Sequence, residues 1–228
     1  MNKYCSLVQE YLNANLALDR VYTFQYEGKW FIGINTVFSP VVFEDTYFFA
    51  KHIPSKPNAR FLEIGCGTGF VSICKALDGA SVTATDINLD ALTNTKINAI
   101  LHSVDQRISI LYSDVFDSLS KFDIFDVIFW NAPFIFSKAF PETSLAKSVF
   151  DFEYLSIIKF ITGFTSYLKV DGRAFLGFSS TSGDFNYLSK ICNEKGITLR
   201  LVAQSFLEGN AYEERFSLEL YELLGYNK

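Results

Sequence analysis

Residues 61–70 read Phe61-Leu-Glu-Ile-Gly-Cys-Gly-Thr-Gly-Phe70. The apolar start of this stretch predicts a strand covered on both faces, and apolar residues at helical spacing in 71–77 predict a helix directly after it. The glycines Gly65, Gly67 and Gly69 predict a turn between them, where the backbone approaches a ligand closely because no side chain intervenes. Such a turn also points the first N–H groups of the helix at that ligand.

The glycine spacing separates this turn from the dinucleotide fingerprint. That fingerprint reads G-x-G-x-x-G and places a pyrophosphate at the start of the helix, whereas this chain has G-x-G-x-G. Glu63 stands two residues before the first glycine. A carboxylate there suits a ligand that carries a positive charge and no phosphate.

Three further strands are predicted, over 81–86, 108–114 and 125–130, and each ends in or next to a polar residue. The second strand of the domain ends in Asp86, about 20 residues past the glycine turn, where doubly wound folds place the carboxylate that holds a ribose diol. The fourth runs into Asn131-Ala-Pro-Phe134. Polar strand ends on one edge predict an open α/β sheet that binds its ligand there.

The C-terminal third predicts the other half of the sheet. A helix over 152–168 and a turn at 170–172 lead into a fifth strand over 173–178. After a helix over 184–194, a final pair of strands over 198–206 and 215–223 has no helix between them, so they must run antiparallel.

From Val37 to the C-terminus, the sequence resembles class I S-adenosylmethionine-dependent methyltransferases. It is most similar to the "methyltransferase small" branch that methylates nitrogen through an Asn-Pro-Pro-Tyr/Phe motif. That branch includes the release-factor glutamine methyltransferases and the adenine and guanine amino-methyltransferases. The resemblance implies an α/β fold with a Rossmann-like, seven-stranded, mostly parallel sheet, an antiparallel last strand and helices on both faces.

The resemblance also implies S-adenosylmethionine as cofactor and a set of residues that bind it. Glu63 and Gly65 would line its methionine side, Asp86 would accept from both ribose hydroxyls, and Asp114 with the Val115 N–H would lie beside the adenine. The full set is Thr46, Glu63, Gly65, Cys66, Gly67, Gly69, Asp86, Ile87, Asp114, Val115 and Asn131. Two of these predictions have a structural alternative to cofactor binding. Asp114 could instead be the N-cap of a helix, and the run at 44–46 could instead cap a helix over 46–52.

The four residues Asn131, Ala132, Pro133 and Phe134 are the predicted catalytic motif. The side-chain oxygen of Asn131 and the carbonyl of Ala132 would accept from the N–H groups of the acceptor nitrogen, Pro133 would stiffen the turn, and Phe134 would stack on a planar amide or base. The branch has proline where this chain has Ala132, which keeps the carbonyl but loosens the turn. The alternative is an ordinary turn at the end of a strand.

The N-terminal part predicts a small extension over 1–53, before the methyltransferase domain over 54–228. It would consist of a helix over 5–18, a hairpin around Glu27-Gly28 and the helix before the glycine turn. A lid over the substrate and a structural cap on the sheet edge are equally open. The segment 134–149 is predicted to be a loop over the active-site edge.

Composition limits the alternatives. The net charge of −5 and the absence of a long Lys/Arg run give no strong nucleic-acid signal. Four scattered cysteines predict neither a metal site nor a disulfide framework. No apolar signal segment and no run of 18 apolar residues occur, so no membrane association and a cytoplasmic location are expected.

The predicted function is methyl transfer to nitrogen, on a glutamine amide or a nucleobase amine of a protein or RNA. A small-molecule methyltransferase on the same scaffold and a non-catalytic, cofactor-binding subunit are the alternatives. The sequence leaves the acceptor and the oligomeric state open.

Overall fold

The computed structural model describes residues 4–208 and 215–225. In chain order the described elements are α1 Tyr4–Ala17, β1 Val21–Tyr26, β2 Lys29–Ile34, α2 Asp45–His52, β3 Arg60–Ile64, α3 Phe70–Leu77, β4 Ser81–Asp86, α4 Leu89–Leu101, β5 Ile108–Tyr112, β6 Phe125–Asn131, β7 Ile135–Ser137, α5 Ser144–Lys147, β8 Phe150–Phe152, α6 Leu155–Gly163, β9 Leu168–Phe178, α7 Phe185–Glu194, β10 Ile197–Glu208 and β11 Arg215–Gly225. None of these helices is both long enough and apolar enough to cross a bilayer.

The main sheet has seven strands in the order β10-β11-β9-β6-β3-β4-β5. Strand β11 is antiparallel to both of its neighbours, and the pairs from β9 to β5 are parallel. The predicted fold class, including the reversed last strand, is therefore confirmed. Since β3 and β6 lie side by side in the middle, the glycine turn after β3 and the Asn131 turn after β6 meet at one edge of the sheet.

Alternating side chains of the central strands divide the core into two layers. Leu62, Ile64 and their neighbours on one face pack against α6 and α7. Phe61 and the opposite face pack against α3, α4 and the β1–β2 hairpin, which contributes Phe24 and Phe31. Both faces are thus covered, as the apolar run of β3 requires.

The hairpin is held by a buried asparagine of α4. The amide of Asn98 accepts from the Ile32 N–H at 2.8 Å and donates to the Ile32 carbonyl at 2.8 Å and to the Thr68 carbonyl at 2.9 Å. One side chain therefore joins the hairpin, α4 and the glycine turn. Through Asn98, the hairpin helps to hold the glycine turn in place.

Three local predictions were wrong. The predicted loop over 134–149 contains β7 and α5, and β7 pairs in parallel with β8. The helix predicted over 152–168 is shorter: Phe152 lies in β8, and a 3₁₀ turn at 164–167 ends the helix.

The third error concerns the turn at 170–172, which lies inside β9. Leu168 is opposite Phe125 and Arg173 is opposite Val127, so the extra residues between them bulge out of the ladder. The predicted connection between the last two strands falls partly on residues 209–214, which lie outside the described residues.

Candidate functional site

A cavity lies at the carboxyl ends of β3, β4, β5 and β6, and we call it the glycine-turn cavity. All of the predicted cofactor residues but Gly69 line it, together with Pro133 of the Asn131 turn. The predicted residues at its wall are Thr46, Glu63, Gly65, Cys66, Gly67, Asp86, Ile87, Asp114, Val115, Asn131 and Pro133. Residues from five separate parts of the chain are thus brought to one place.

The glycine turn has left-handed backbone at all three glycines, and two of them have a visible reason for it. Gly67 has a φ of +55°, which aims its N–H at Asp86 Oδ2 at 3.0 Å. Gly69 has a φ of +79°, and a Cβ there would lie 2.8 Å from Thr95 Cγ2 on α4. The packing of α4 against the turn therefore accounts for Gly69, and its predicted cofactor contact stays a prediction.

Asp86 is fixed by backbone donors before any ligand arrives. Its Oδ2 accepts from Gly67 and its Oδ1 accepts from the Asn88 N–H at 2.8 Å. Burial raises the pKa of Asp86, while these N–H groups act in the opposite direction. The carboxylate is held at the cavity wall with lone pairs left for hydroxyl donors.

Glu63 lies on β3 and is only 4% exposed. The hydroxyl of Ser72 on α3 donates to its Oε2. Burial raises the pKa of Glu63 to about 8. A buried carboxyl group of this kind is a strong site for a cationic ligand, because a nearby positive charge stabilises its ionised form.

At the far end of the cavity, Asp114 follows β5 and forms an ion pair with Lys159 of α6 at 2.8 Å. Lys159 also contacts Asp117 at 2.7 Å. Val115 has a φ of +49°, a conformation that β-branched residues rarely adopt. Strained backbone of this kind is concentrated at ligand sites.

A second cavity, which we call the α1 cavity, adjoins the first. It is bounded by α1, the segment 41–45, the turn after β6, Ser179 directly after β9, and β11. Phe38, Asn131 and Ser148 line both cavities. Ala132 and Phe134 line the α1 cavity, so the predicted catalytic motif stands where the two cavities meet.

The charged side chains that line the α1 cavity are all acidic: Glu10, Glu44 and Asp45. Its remaining wall is largely aromatic and aliphatic. Phe38 and Phe43 stack at 4.0 Å between ring centroids, and Tyr11 packs against Phe43 at 5.8 Å. The cavity is therefore suited to an uncharged or cationic group and unsuited to a phosphate.

Asn131 is held by a residue that the sequence did not identify as functional. Its Nδ2 donates to Asp45 Oδ2 at 2.9 Å. Burial raises the pKa of Asp45 to about 6, although hydrogen bonds from Asn131 and Thr46 favour the ionised form. Among the described residues, Asn131 Oδ1 and Asp45 Oδ1 are buried without a hydrogen-bond partner.

Phe134 is positioned by Tyr154, a second residue that the sequence analysis did not identify. The Tyr154 hydroxyl donates to the Phe134 carbonyl at 2.6 Å and accepts from the Asp184 N–H at 2.8 Å. Tyr154 belongs to the segment 152–168 that was predicted as a helix, and its side chain is fully buried. Its hydroxyl gave no signal in the sequence because both partners are backbone groups far along the chain.

The chain matches a known protein family and several named relatives. The methyltransferase small domain family matches residues 29–151. A Methanocaldococcus jannaschii protein, provisionally named a protein N5-glutamine methyltransferase, is 31% identical over 70% of this chain and 83% of its own length. A release factor glutamine methyltransferase of Rhodopirellula baltica is 38% identical over 44% of this chain.

The chain spans a third or less of several bacterial relatives, and it covers 34% of the Rhodopirellula enzyme. Among solved structures, TYW2 of P. horikoshii in complex with MeSAdo superposes with a TM-score of 0.62. The two share 18% identity, and the match covers 91% of this chain and 72% of that one. This likeness concerns the fold.

Proposed function

The chain belongs to the methyltransferase small domain family of S-adenosylmethionine-dependent methyltransferases, and we propose that it methylates the –NH₂ nitrogen of a carboxamide. The side chain of a glutamine in a protein is the first candidate. One observation carries the proposal: the Asn131 turn stands at the junction of two cavities, one suited to the cofactor and one to the acceptor.

The residues of the glycine-turn cavity fit S-adenosylmethionine. Its wall offers the carboxyl groups of Glu63, Asp86 and Asp114 and one basic side chain, Lys147. Because the acidic groups outnumber the basic one, they suit an ammonium group, a sulfonium and a ribose diol better than a pyrophosphate. In this proposal Glu63 and Gly65 hold the methionine side and Asp86 accepts from the ribose hydroxyls. Asp114 and the Val115 N–H bind the adenine.

When bound, the cofactor supplies an already activated methyl group, so the protein contributes position and electrostatics. A carboxamide nitrogen is a poor nucleophile because its lone pair is delocalised into the carbonyl. In the proposed arrangement, Asn131 Oδ1 and the Ala132 carbonyl accept from its two N–H groups and turn the lone pair toward the methyl group. Phe134 stacks on the amide plane, and the proton leaves after transfer.

The α1 cavity favours a carboxamide over a nucleobase in RNA. An RNA acceptor would bring phosphates to a wall whose charged lining residues Glu10, Glu44 and Asp45 are acidic. The names of two relatives, from Methanocaldococcus and Rhodopirellula, also point to glutamine. Both arguments support a protein acceptor.

A small amide or amine is the second candidate, because α1 covers the cavity. Val8 and Leu12 of α1 pack in one apolar cluster with Ile135, Leu145 and Val149 of the segment after the Asn131 turn. We therefore propose residues 1–53 as an extension whose helix α1 acts as a lid. A lid that stays closed would admit only a small acceptor.

The experiment is transfer of label from radiolabelled S-adenosylmethionine by the purified chain. Separate reactions would contain a bacterial release factor, a protein extract, total RNA and a metabolite extract, with Asn131→Ala as the matched inactive control. The proposal expects label in protein, released by acid hydrolysis as N5-methylglutamine. Label in RNA alone would contradict it, and cofactor binding with no transfer to any fraction would favour a non-catalytic subunit.

A further inference from the structure

The carboxyl group of Asp45 is buried against Asn131 and has no ion-pair partner within residues 4–208 and 215–225. Asp45 is 5% exposed and is the first residue of α2, and its Oδ2 accepts from Asn131 Nδ2 at 2.9 Å. Glu44, not Asp45, occupies the N-cap position of α2, and its side chain makes no cap hydrogen bond. An acid in the first turn of a helix is favoured by the helix dipole, but that effect does not require the carboxyl group to be buried against Asn131.

The surroundings of Asp45 make its charge costly. The titratable side chains that face it across the α1 cavity are Glu10 and Tyr11 of α1 and its neighbour Glu44, none of which carries a positive charge. From β6, β11 and the residue after β9 the cavity wall receives uncharged side chains: Asn131, Phe216, Leu218 and Ser179. Burying a carboxyl group without a counter-ion costs stability, so an asparagine or a serine would be the cheaper choice for a purely structural position.

An ionised carboxylate differs from those alternatives because it can only accept hydrogen bonds. If the partner is a neutral group that can both donate and accept, the Asn131 amide can be turned by 180°, because its NH₂ end and its oxygen end can each form a hydrogen bond with that partner. Beside a carboxylate, the Nδ2 end must face the carboxylate and Oδ1 must face away. The ionised Asp45 thus selects one of the two orientations of the Asn131 amide.

We propose that Asp45 is a positioning residue that orients the Asn131 carboxamide, so that Oδ1 is presented as an acceptor to the N–H of the substrate. This inference rests on the proposed function, in which Asn131 contacts the acceptor nitrogen. In that reaction the C–N bond forms as the S–C bond breaks, the electron pair of the broken bond stays on sulfur, and positive charge appears on nitrogen. The negative charge of Asp45, one hydrogen bond behind Asn131, stabilises that positive charge.

The buried Oδ1 atom of Asn131 is consistent with this role. It has no partner among the described residues, and on one side it lies against Gly177 of β9, where a Cβ would come within 3.0 Å. An unpartnered buried acceptor is costly in the free protein. A substrate N–H would remove that cost, which favours binding of the acceptor group.

The first test needs no acceptor. In protein labelled with ¹⁵N-asparagine, the side-chain NH₂ resonance of Asn131 is assigned by its loss in Asn131→Ala. We expect it to shift with pH with a midpoint near the Asp45 pKa of about 6, and to lose this titration in Asp45→Asn. A wild-type resonance that stays constant from below to above that pKa would overturn the proposal.

The second test is kinetic and uses label transfer to the proteins of the extract. We expect Asp45→Asn to lower kcat by as much as about 100-fold while the affinity for S-adenosylmethionine is kept, because the amide can then adopt either orientation. The wild-type rate should rise with pH through about 6, and this step should be absent from Asp45→Asn. Asp105→Asn, a change at a half-buried acid outside both cavities, is the control and should keep the wild-type rate.

The two tests separate this inference from the proposed function. If the Asn131 resonance titrates but no methyl transfer is detected, the orientation of Asn131 by Asp45 is supported and the proposed methyltransferase function is contradicted. A wild-type rate in Asp45→Asn, or the same pH step in that variant, would reject the role of Asp45 while leaving the function in place.

Discussion

Three acidic side chains contribute to the electrostatics of the two cavities. Glu63, Asp86 and Asp45 line the cavity walls, and burial raises the pKa of each. Their hydrogen-bond donors include backbone N–H groups, a serine hydroxyl and an asparagine amide, and these donors are neutral. The free protein therefore carries acidic groups whose ionisation a positively charged ligand would favour.

Asp86→Ala should weaken S-adenosylmethionine binding by about 1–3 kcal/mol, the scale of hydrogen bonds to a charged group. In the proposed cofactor site this variant would lose the acceptor for the ribose hydroxyls, and it also loses the anchor that holds the Gly67 N–H. Isothermal titration calorimetry measures the change. Asp105→Ala should bind as wild type, and equal affinities for the two variants would contradict the role of Asp86.

Gly177→Ala should lower turnover, because the added Cβ would lie 2.7 Å from Phe49 Cζ and 3.0 Å from Asn131 Oδ1. Overpacking of this kind costs about 1–3 kcal/mol of stability and displaces the neighbours. Gly225→Ala is the matched control, since its Cβ would meet only Ile197 Cδ1 at 3.9 Å. Urea unfolding and label transfer measure both effects, and wild-type turnover in Gly177→Ala would show that Asn131 need not stay in place.

At the residue scale, the sequence could identify only residues that belong to a local pattern. Glu63 and Asp86 lie next to the glycine turn or at a strand end, and the structure brings them to one cavity, although their ligand roles stay predictions. Asp45 stands 86 residues before its partner Asn131, and only the folded sheet joins them. Its position at the start of a helix predicted a cap, which is the more frequent use of such an acid.

Among the elements, α2 matters most for the site because its first turn carries Asp45 and Thr46. Its other end is fastened by a buried lysine of α3: Lys75 Nζ donates to the carbonyls of Ala50 and Ile53, each at 2.8 Å. Burial lowers the pKa of Lys75. A cation at the C-terminal end of a helix is favourable because free carbonyls point there.

Lys75→Met should therefore destabilise the protein by about 1–3 kcal/mol, since two buried carbonyls lose their donor. The measurement is the urea midpoint, followed by circular dichroism. Lys51→Met, at an exposed lysine in the last turn of α2, is the control and should stay near the wild-type midpoint. Identical midpoints for the two variants would contradict the anchoring role of Lys75.

At the element scale, long periodic segments were predictable and short ones were not. Strands β3, β4 and β6 carry apolar runs bounded by turn residues, and their predicted bounds agree with the structure to within a residue. Strands β7 and β8 have three residues each, and each is paired with a segment more than a dozen residues away. Three residues are too few for a periodic signal, so the segment was predicted as a loop.

For the whole molecule, the raised pKa of Glu63 links folding to pH. Below the ordinary value of 4.5 the carboxyl is protonated in both states, and above about 8 it is ionised in both. Between these values the unfolded state has lost the proton that the folded state keeps, so stability falls as pH rises. The loss is at most about 1.4 kcal/mol per pH unit for one group.

The free energy of unfolding of the ligand-free protein should therefore decrease from pH 5 to pH 8, and Glu63→Gln should decrease less steeply. Urea titrations at several pH values in that window measure both slopes. A wild-type stability that increases over this range, or equal slopes for the two proteins, would show that Glu63 does not keep its proton in the folded state.

The proposed methyl transfer depends on how a bound cofactor lies relative to Asn131. The most direct measurement is a crystal structure of the protein with S-adenosylmethionine. The predicted result is a nucleoside in the glycine-turn cavity with its ribose hydroxyls on Asp86 and its methyl group directed at Asn131. A cofactor bound elsewhere, or one whose methyl group faces away from Asn131, would contradict the account.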